Sequence, residues 1–132
     1  MKSYLFDAFA ILCWLQGEKG KDTVSSLLEE ATERKVSISM NIINLGEVYY
    51  RIARSKNIKT AEDVLEKIKL LPIKIIPISN ELVLEAAKIK AKYSIAYADA
   101  FAIITADNLK ATIVTGDLDM KYVKDMLNIH WL

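Results

Sequence analysis

The chain has 132 residues, 18 Lys and Arg against 17 Asp and Glu, one His, and a formal net charge of +1. Its 52% hydrophobic and 27% charged residues exclude a disordered, collagen-like or highly charged chain, and its length fits one domain, residues 1–132, that buries a core without a metal or disulfide staple. The near-zero balance argues against a simple electrostatic nucleic-acid binder, which would be strongly basic.

The expected elements alternate strand and helix. Residues 2–7 read as a short buried strand ending at Asp7. Residues 8–16 follow as an apolar helix stopped by Gly17. Asp7 interrupts the apolar run from Tyr4 to Leu15, which opposes reading it as a leader, and no stretch approaches the roughly 20 apolar residues of a membrane span. The single Cys13 makes neither an internal disulfide nor a Cys-rich zinc site and reads as a small packing residue. A cytoplasmic location is expected. Residues 23–35 carry Val24, Leu27, Leu28 and Ala31 at helical spacing. Residues 36–40 form a second strand, after which Asn41 caps a helix to about Ser55. Thr60-Ala61-Glu62-Asp63 resembles a capping box for a helix that ends before Pro72. Residues 73–78 are a third strand, Ser79 caps a helix to about Tyr93, and residues 98–108 form a small-residue, apolar helix. Residues 111–115 are a fourth strand, followed by Gly116-Asp117, a short helix over 120–126 and a last strand over 128–131. This order implies an α/β fold with a central parallel sheet of about four to five strands and helices on both faces. Sites in such sheets lie beyond the carboxyl ends of the strands. That rule selects Asp7, at the end of the first strand, and Asp117, after the fourth.

Five acids stand in apolar surroundings: Asp7, Glu47, Asp99, Asp117 and Asp119. An ionised carboxylate there is costly unless paired or bound to a metal. Each has a local explanation. Asp7 can accept from the N-terminus of the helix that follows it, and Asp99 can cap its own helix. Glu47 can pair with Arg51 at i,i+4. Asp117 can serve a turn. The sheet rule nevertheless brings several to one edge, where clustered carboxylates share protons or collect a divalent cation. Oxygen-only ligands favour Mg²⁺ or Mn²⁺. No Gly-rich phosphate loop is present, and His130 is the lone candidate imidazole base. A metal-activated water attacking a phosphodiester is the chemistry that fits.

These residues resemble the PIN-domain family of metal-dependent ribonucleases, in particular the VapC-type toxins of toxin–antitoxin pairs. The resemblance covers nearly the whole chain. It is most specific from Ile95-Ala96-Tyr97-Ala98-Asp99-Ala100 to Thr115-Gly116-Asp117-Leu118-Asp119-Met120, and extends to Tyr4-Leu5-Phe6-Asp7-Ala8, Gly17-Glu18 and Glu47. It implies a three-layer PIN-like fold and an endoribonuclease that cleaves RNA at a Mg²⁺ or Mn²⁺ site of Asp7, Glu47, Asp99 and Asp117. Asp119 matches an often acidic position that can add to the metal site, and Thr115 a supporting hydroxyl. It also implies a homodimer and an antitoxin that blocks the acidic groove. The apolar helices over 23–35 and 41–55 are candidates for the dimer surface. One position departs: the family usually has Ser, Thr or Asn two residues after the first Asp, and here Phe9 stands, implying a slower, differently selective or impaired site.

An acidic site needs cations around it to hold a polyanion. Arg51 and Arg54, one and two turns beyond Glu47, are candidate phosphate contacts, as are Lys121 and Lys124 after the last acids. Tyr50 and Tyr93 could stack bases, whereas Tyr49 and Tyr97 read as packing residues. Rival readings are a PIN-like module that binds RNA or protein with little or no nuclease activity, and an RNA-processing nuclease that is not a toxin. A receiver domain is disfavoured because Phe6, not an acid, precedes Asp7. A haloacid-dehalogenase-like phosphatase would need an acid where Phe9 stands.

Overall fold

Five short strands set the architecture; the central three are mostly buried and the two at the edges stay partly exposed. A computed structural model describes all 132 residues. The strands are β1 (Lys2–Phe6), β2 (Val36–Asn41), β3 (Lys74–Ile76), β4 (Thr112–Thr115) and β5 (Ile129–Trp131). They form one parallel sheet in the order β3-β2-β1-β4-β5. The helices are α1 (Ala8–Gln16), α2 (Lys21–Thr32), α3 (Ile42–Ser55), α4 (Ile58–Lys69), α5 (Asn80–Lys92) and α6 (Tyr97–Leu109), with a 3-10 helix at Leu118–Val123. The expected α/β, three-layer arrangement is what forms.

Side chains alternate across each strand, so the sheet feeds two cores. Tyr4, Phe6 and Val114 face one cluster with residues of α1, α2, α3 and α4. Leu5 and Ile113 face the other, with α5, α6 and the 3-10 residues Met120 and Val123. The chain leaves the central β1 toward β2 and β3, then returns to the other side of β1 for β4 and β5. The strand order therefore reverses between β1 and β4. A crevice opens there at the carboxyl edge of a parallel sheet, and Asp7 and Asp117 follow those two strands.

Several boundaries differ from the sequence expectation. α2 starts at Lys21 after Gly20, ahead of Thr23. α4 is capped by Asn57, whose Oδ1 accepts from the Thr60 N–H at 2.7 Å, so Thr60 lies inside the helix and opens no capping box. β3 keeps only Lys74–Ile76, clear of both prolines. The last helix is a 3-10 segment starting at Leu118, which lets Asp117 cap it. Gly17 does stop α1, with φ 67° and its N–H turned back to the Cys13 and Trp14 carbonyls, a left-handed cap in which glycine carries no Cβ penalty. No helix is long and apolar enough to cross a membrane.

Candidate active site

Asp7, Glu47, Asp99 and Asp117 reach one cleft from four different elements, and Glu18 joins them on its wall. The cleft is about 350 Å³ and its walls include Asp7, Glu47, Asp99 and Asp117 together with Phe9, Leu12 and Arg51. Asp7 bridges β1 and α1. It is 2% exposed, and its Oδ1 accepts from the Ala10 N–H at 3.0 Å as the α1 cap. Its Oδ2 accepts from Thr115 Oγ1 at 2.5 Å. Thr115 Oγ1 in turn accepts from the Asp117 N–H at 3.0 Å. One buried hydroxyl thus ties the end of β1 to the residue beyond β4. Asp117 Oδ1 accepts from the Asp119 N–H at 3.0 Å.

Asp99 lies in the first turn of α6, but Ala96 is the cap residue and makes no side-chain cap bond. Capping therefore does not explain the acid. α6 is rich in small residues and buries Asp99 and the seven residues that follow it. This close seating carries the carboxyl inward. Two asparagines secure α3 against α6. Asn41 caps α3 through the Ile43 N–H and donates from Nδ2 to Thr105 Oγ1 at 2.8 Å. Asn44 Nδ2 donates to the Ala98 carbonyl at 3.0 Å, beside Asp99 and one turn before Glu47. Sequence reading found the Asn41 cap but missed Asn44. Its signal is a polar residue on the buried stripe of Leu45, Val48 and Ile52. Glu47 pairs with Arg51, Oε2 to Nη2 at 2.9 Å, as the i,i+4 spacing anticipated.

Burial dominates the electrostatics. Two hydrogen bonds pull the Asp7 carboxyl toward a low pKa, yet removal from water outweighs them, and with help from the charges of Asp117 and Glu47 its pKa is pushed up to about 7. Asp99 is likewise pushed up to about 7, by burial first and then by Asp117, Asp7 and Glu47. The carboxylates line the cleft without closing into a ligand cage; Asp7, Glu47 and Asp117 are each held by a local partner. Their chemistry nonetheless fits a hard divalent cation. The donors are oxygens, and a nearby positive charge would favour the ionised form of the very carboxyls that burial and repulsion hold near neutral.

The remaining candidates divide. Arg51 is on the cleft wall. Arg54 and Tyr50 line an adjoining groove that shares Leu12, Gln16 and Arg51 with it. Asp119 is exposed and not part of the cleft lining. Lys121 lies in the 3-10 helix with its ammonium over the Tyr122 ring. Lys124 lines a separate hollow with Asp107, Lys110 and Asn128, at the amino end of β4 and away from the acids. Tyr49 donates to Glu62 at 2.6 Å across α3 and α4, whereas Tyr97 touches Phe101 but stays 45% exposed, so the expected packing role holds for it only in part.

Thr115→Val tests the hydroxyl link. The isosteric methyl leaves Asp7 Oδ2 and the Asp117 N–H unpartnered, so stability should fall by about 1–3 kcal/mol. Urea unfolding of the two proteins measures it.

The fold and cleft define a class: α/β proteins with an acid-lined crevice at the switch point of a parallel sheet. The chain belongs to the PIN-domain family, whose model matches residues 4–126. Among solved structures, it resembles a chain of VapBC2 from Rickettsia felis bound to a promoter DNA fragment (20% identity, 97% of each chain covered, TM-score 0.74). It also resembles a chain of DNA-bound VapBC from Salmonella typhimurium (14% identity, 98% of each, TM-score 0.74). A third is VapC20 from Mycobacterium tuberculosis, described as a sarcin–ricin loop cleaving toxin (12% identity, 91% of this chain and 94% of that one, TM-score 0.72). At these identities the likeness is one of fold. No curated protein sequence matches the chain.

Proposed function

We propose that this chain is a divalent-metal-dependent endoribonuclease that hydrolyses RNA phosphodiester bonds, and that it is the toxin of a VapBC-type pair acting in the cytoplasm. The observation that carries the reading is the meeting of Asp7, Glu47, Asp99 and Asp117 in one cleft of a PIN fold. The toxin assignment draws on fold relatives described as VapBC complexes and as a cleaving toxin. A cognate antitoxin and a second copy of the chain are the proposed protein partners.

Asp7, Asp99 and Asp117 would hold Mg²⁺ or Mn²⁺, and Glu47 would hold a second ion or orient water. When bound, the cation supplies a water of lowered pKa and neutralises charge on the phosphoryl oxygens. Thr115 acts as a positioning residue, fixing Asp7 Oδ2 and the Asp117 backbone with one hydroxyl. Asp119 supports Asp117 through its N–H. Arg51 and Arg54 offer charge for phosphates flanking the cut, with Lys121 beyond Asp117. Setting aside the four proposed metal-site acids leaves 13 acids against 18 cations, so a polyanion meets a surface more basic than the net charge suggests.

Incubation of the purified protein with cellular RNA tests the proposal. Cleavage should require Mg²⁺ or Mn²⁺, stop in EDTA and return when metal is restored. Cleavage that persists in excess EDTA overturns the metal-dependent reading. RNA affinity without any cleavage would favour a binding module.

A further inference from the structure

Resting on that nuclease reading, we infer that Phe9 is a stacking platform that seats a nucleobase of single-stranded RNA beside the acids, making it a substrate-positioning residue of the cleft. Phe9 is the second residue of α1, lines the cleft and is 40% exposed. Its ring lies against the Gly116 backbone. A Cβ placed on Gly116 would lie 2.2 Å from Phe9 Cε1 and 2.5 Å from Cζ. Gly116 is not among the residues with positive φ, so the local turn does not demand glycine there. What the missing side chain provides is room for the ring, immediately before Asp117.

The arrangement places an aromatic surface beside the acids of the cleft. Phe9 follows Asp7 by two residues, with Leu12 and Arg51 also on the walls. The hydroxyl or amide common at this position in the family would offer a hydrogen bond. A phenyl ring offers a π surface, and stacking on it tolerates any base. The base must come from an unpaired strand, because bases within a duplex are already stacked. A ring against Gly116 therefore sits where a base next to a phosphate in the acid cluster would reach it. Phe9 in this role contributes affinity and register, and the acids remain the reacting groups.

Anisotropy of a labelled single-stranded RNA of about ten nucleotides, measured in Ca²⁺ buffer, tests this. Phe9→Ala should weaken binding about tenfold or more, the scale of one lost base–aromatic stack. Phe9→Leu keeps apolar bulk without the ring and should weaken it too, which guards against a simple folding defect. Phe9→Trp should retain affinity. An abasic nucleotide walked along the RNA should weaken the wild-type complex most at one position and make no difference there in Phe9→Ala, as two partners of one contact do. Gly116→Ala, which forces the ring aside, should weaken binding in the wild type but not in Phe9→Ala. If wild type binds RNA and Phe9→Ala binds it equally well, the platform is overturned and the nuclease reading stands. If wild type neither binds nor cleaves RNA, both fall.

Discussion

Asp99→Asn is expected to lower RNA cleavage by about a hundredfold or more, the scale seen when one group that stabilises transition-state charge is removed, while the metal-free fold becomes more stable at neutral pH. The two halves of that result have one cause. Asp99 is 8% exposed and surrounded by the charges of Asp117, Asp7 and Glu47, which together with burial push its carboxyl up to about 7. Asn has nearly the same shape and no charge. It removes repulsion from the apo protein and removes a hard anionic ligand from the proposed cation site. Loss of activity through misfolding would pair lower cleavage with lower stability, so the opposite pairing is diagnostic. Initial cleavage rates over a Mn²⁺ titration, with thermal melts in EDTA, measure both. Cleavage within about twofold of wild type would remove Asp99 from the catalytic set. Asp119→Asn is the control: Asp119 is exposed and off the cleft wall, and a surface change of that kind moves stability by about 0.5 kcal/mol at most.

The legible part of this protein is the part that local chemistry determines. Apolar strands separated by amphipathic helices fix a parallel sheet with both faces covered, and all five strands appear, the third shortened to Lys74–Ile76. The edge rule then places Asp7 and Asp117 together once β1 and β4 are neighbours. Asp99 was legible as an acid that surface solvation could not explain; its burial bears that out, and Ala96 at the cap sets aside the capping alternative. Local roles and convergence also coexist. Asp7 caps α1 and Glu47 pairs with Arg51, yet both line the cleft. What sequence reading missed depends on distance in the chain or on competition between neighbours. Asn57 and Thr60 could each begin α4, and the choice rests on which side chain reaches a free N–H. Asn44 meets Ala98, and Phe9 meets Gly116, only after the sheet has closed. Lys124 follows the acids in sequence, but the 3-10 turn carries it toward the opposite edge.

The metal-free protein should lose stability between about pH 4 and pH 7, against the ordinary pattern for carboxylates, whose folded-state pKa is usually depressed. The sign follows from Asp7. Its carboxyl goes from 3.8 when unfolded to about 7 when folded, so between those values the folded state holds a proton that the unfolded state has released. Stability is then fully present below about 4 and is lost as pH rises through about 7. Each tenfold change in proton affinity is about 1.4 kcal/mol, which puts Asp7 alone at roughly 4 kcal/mol, a large share of the about 5–15 kcal/mol that holds a domain together. Asp99 shifts in the same direction. For a chain of this size the melting temperature should fall on the order of ten degrees over that range. Asp7→Asn should flatten the slope, because its side chain does not ionise and can still cap α1 through the Ala10 N–H. A divalent cation competes with the proton for the same carboxylates, so Mn²⁺ should stabilise the wild type more at pH 8 than at pH 5. Calorimetry across pH with EDTA or Mn²⁺ reads all of these at once. A melting temperature that rises with pH in EDTA, or an equal slope in Asp7→Asn, would mean that the buried carboxyl ionises freely and that repulsion among the four acids does not shape the cleft.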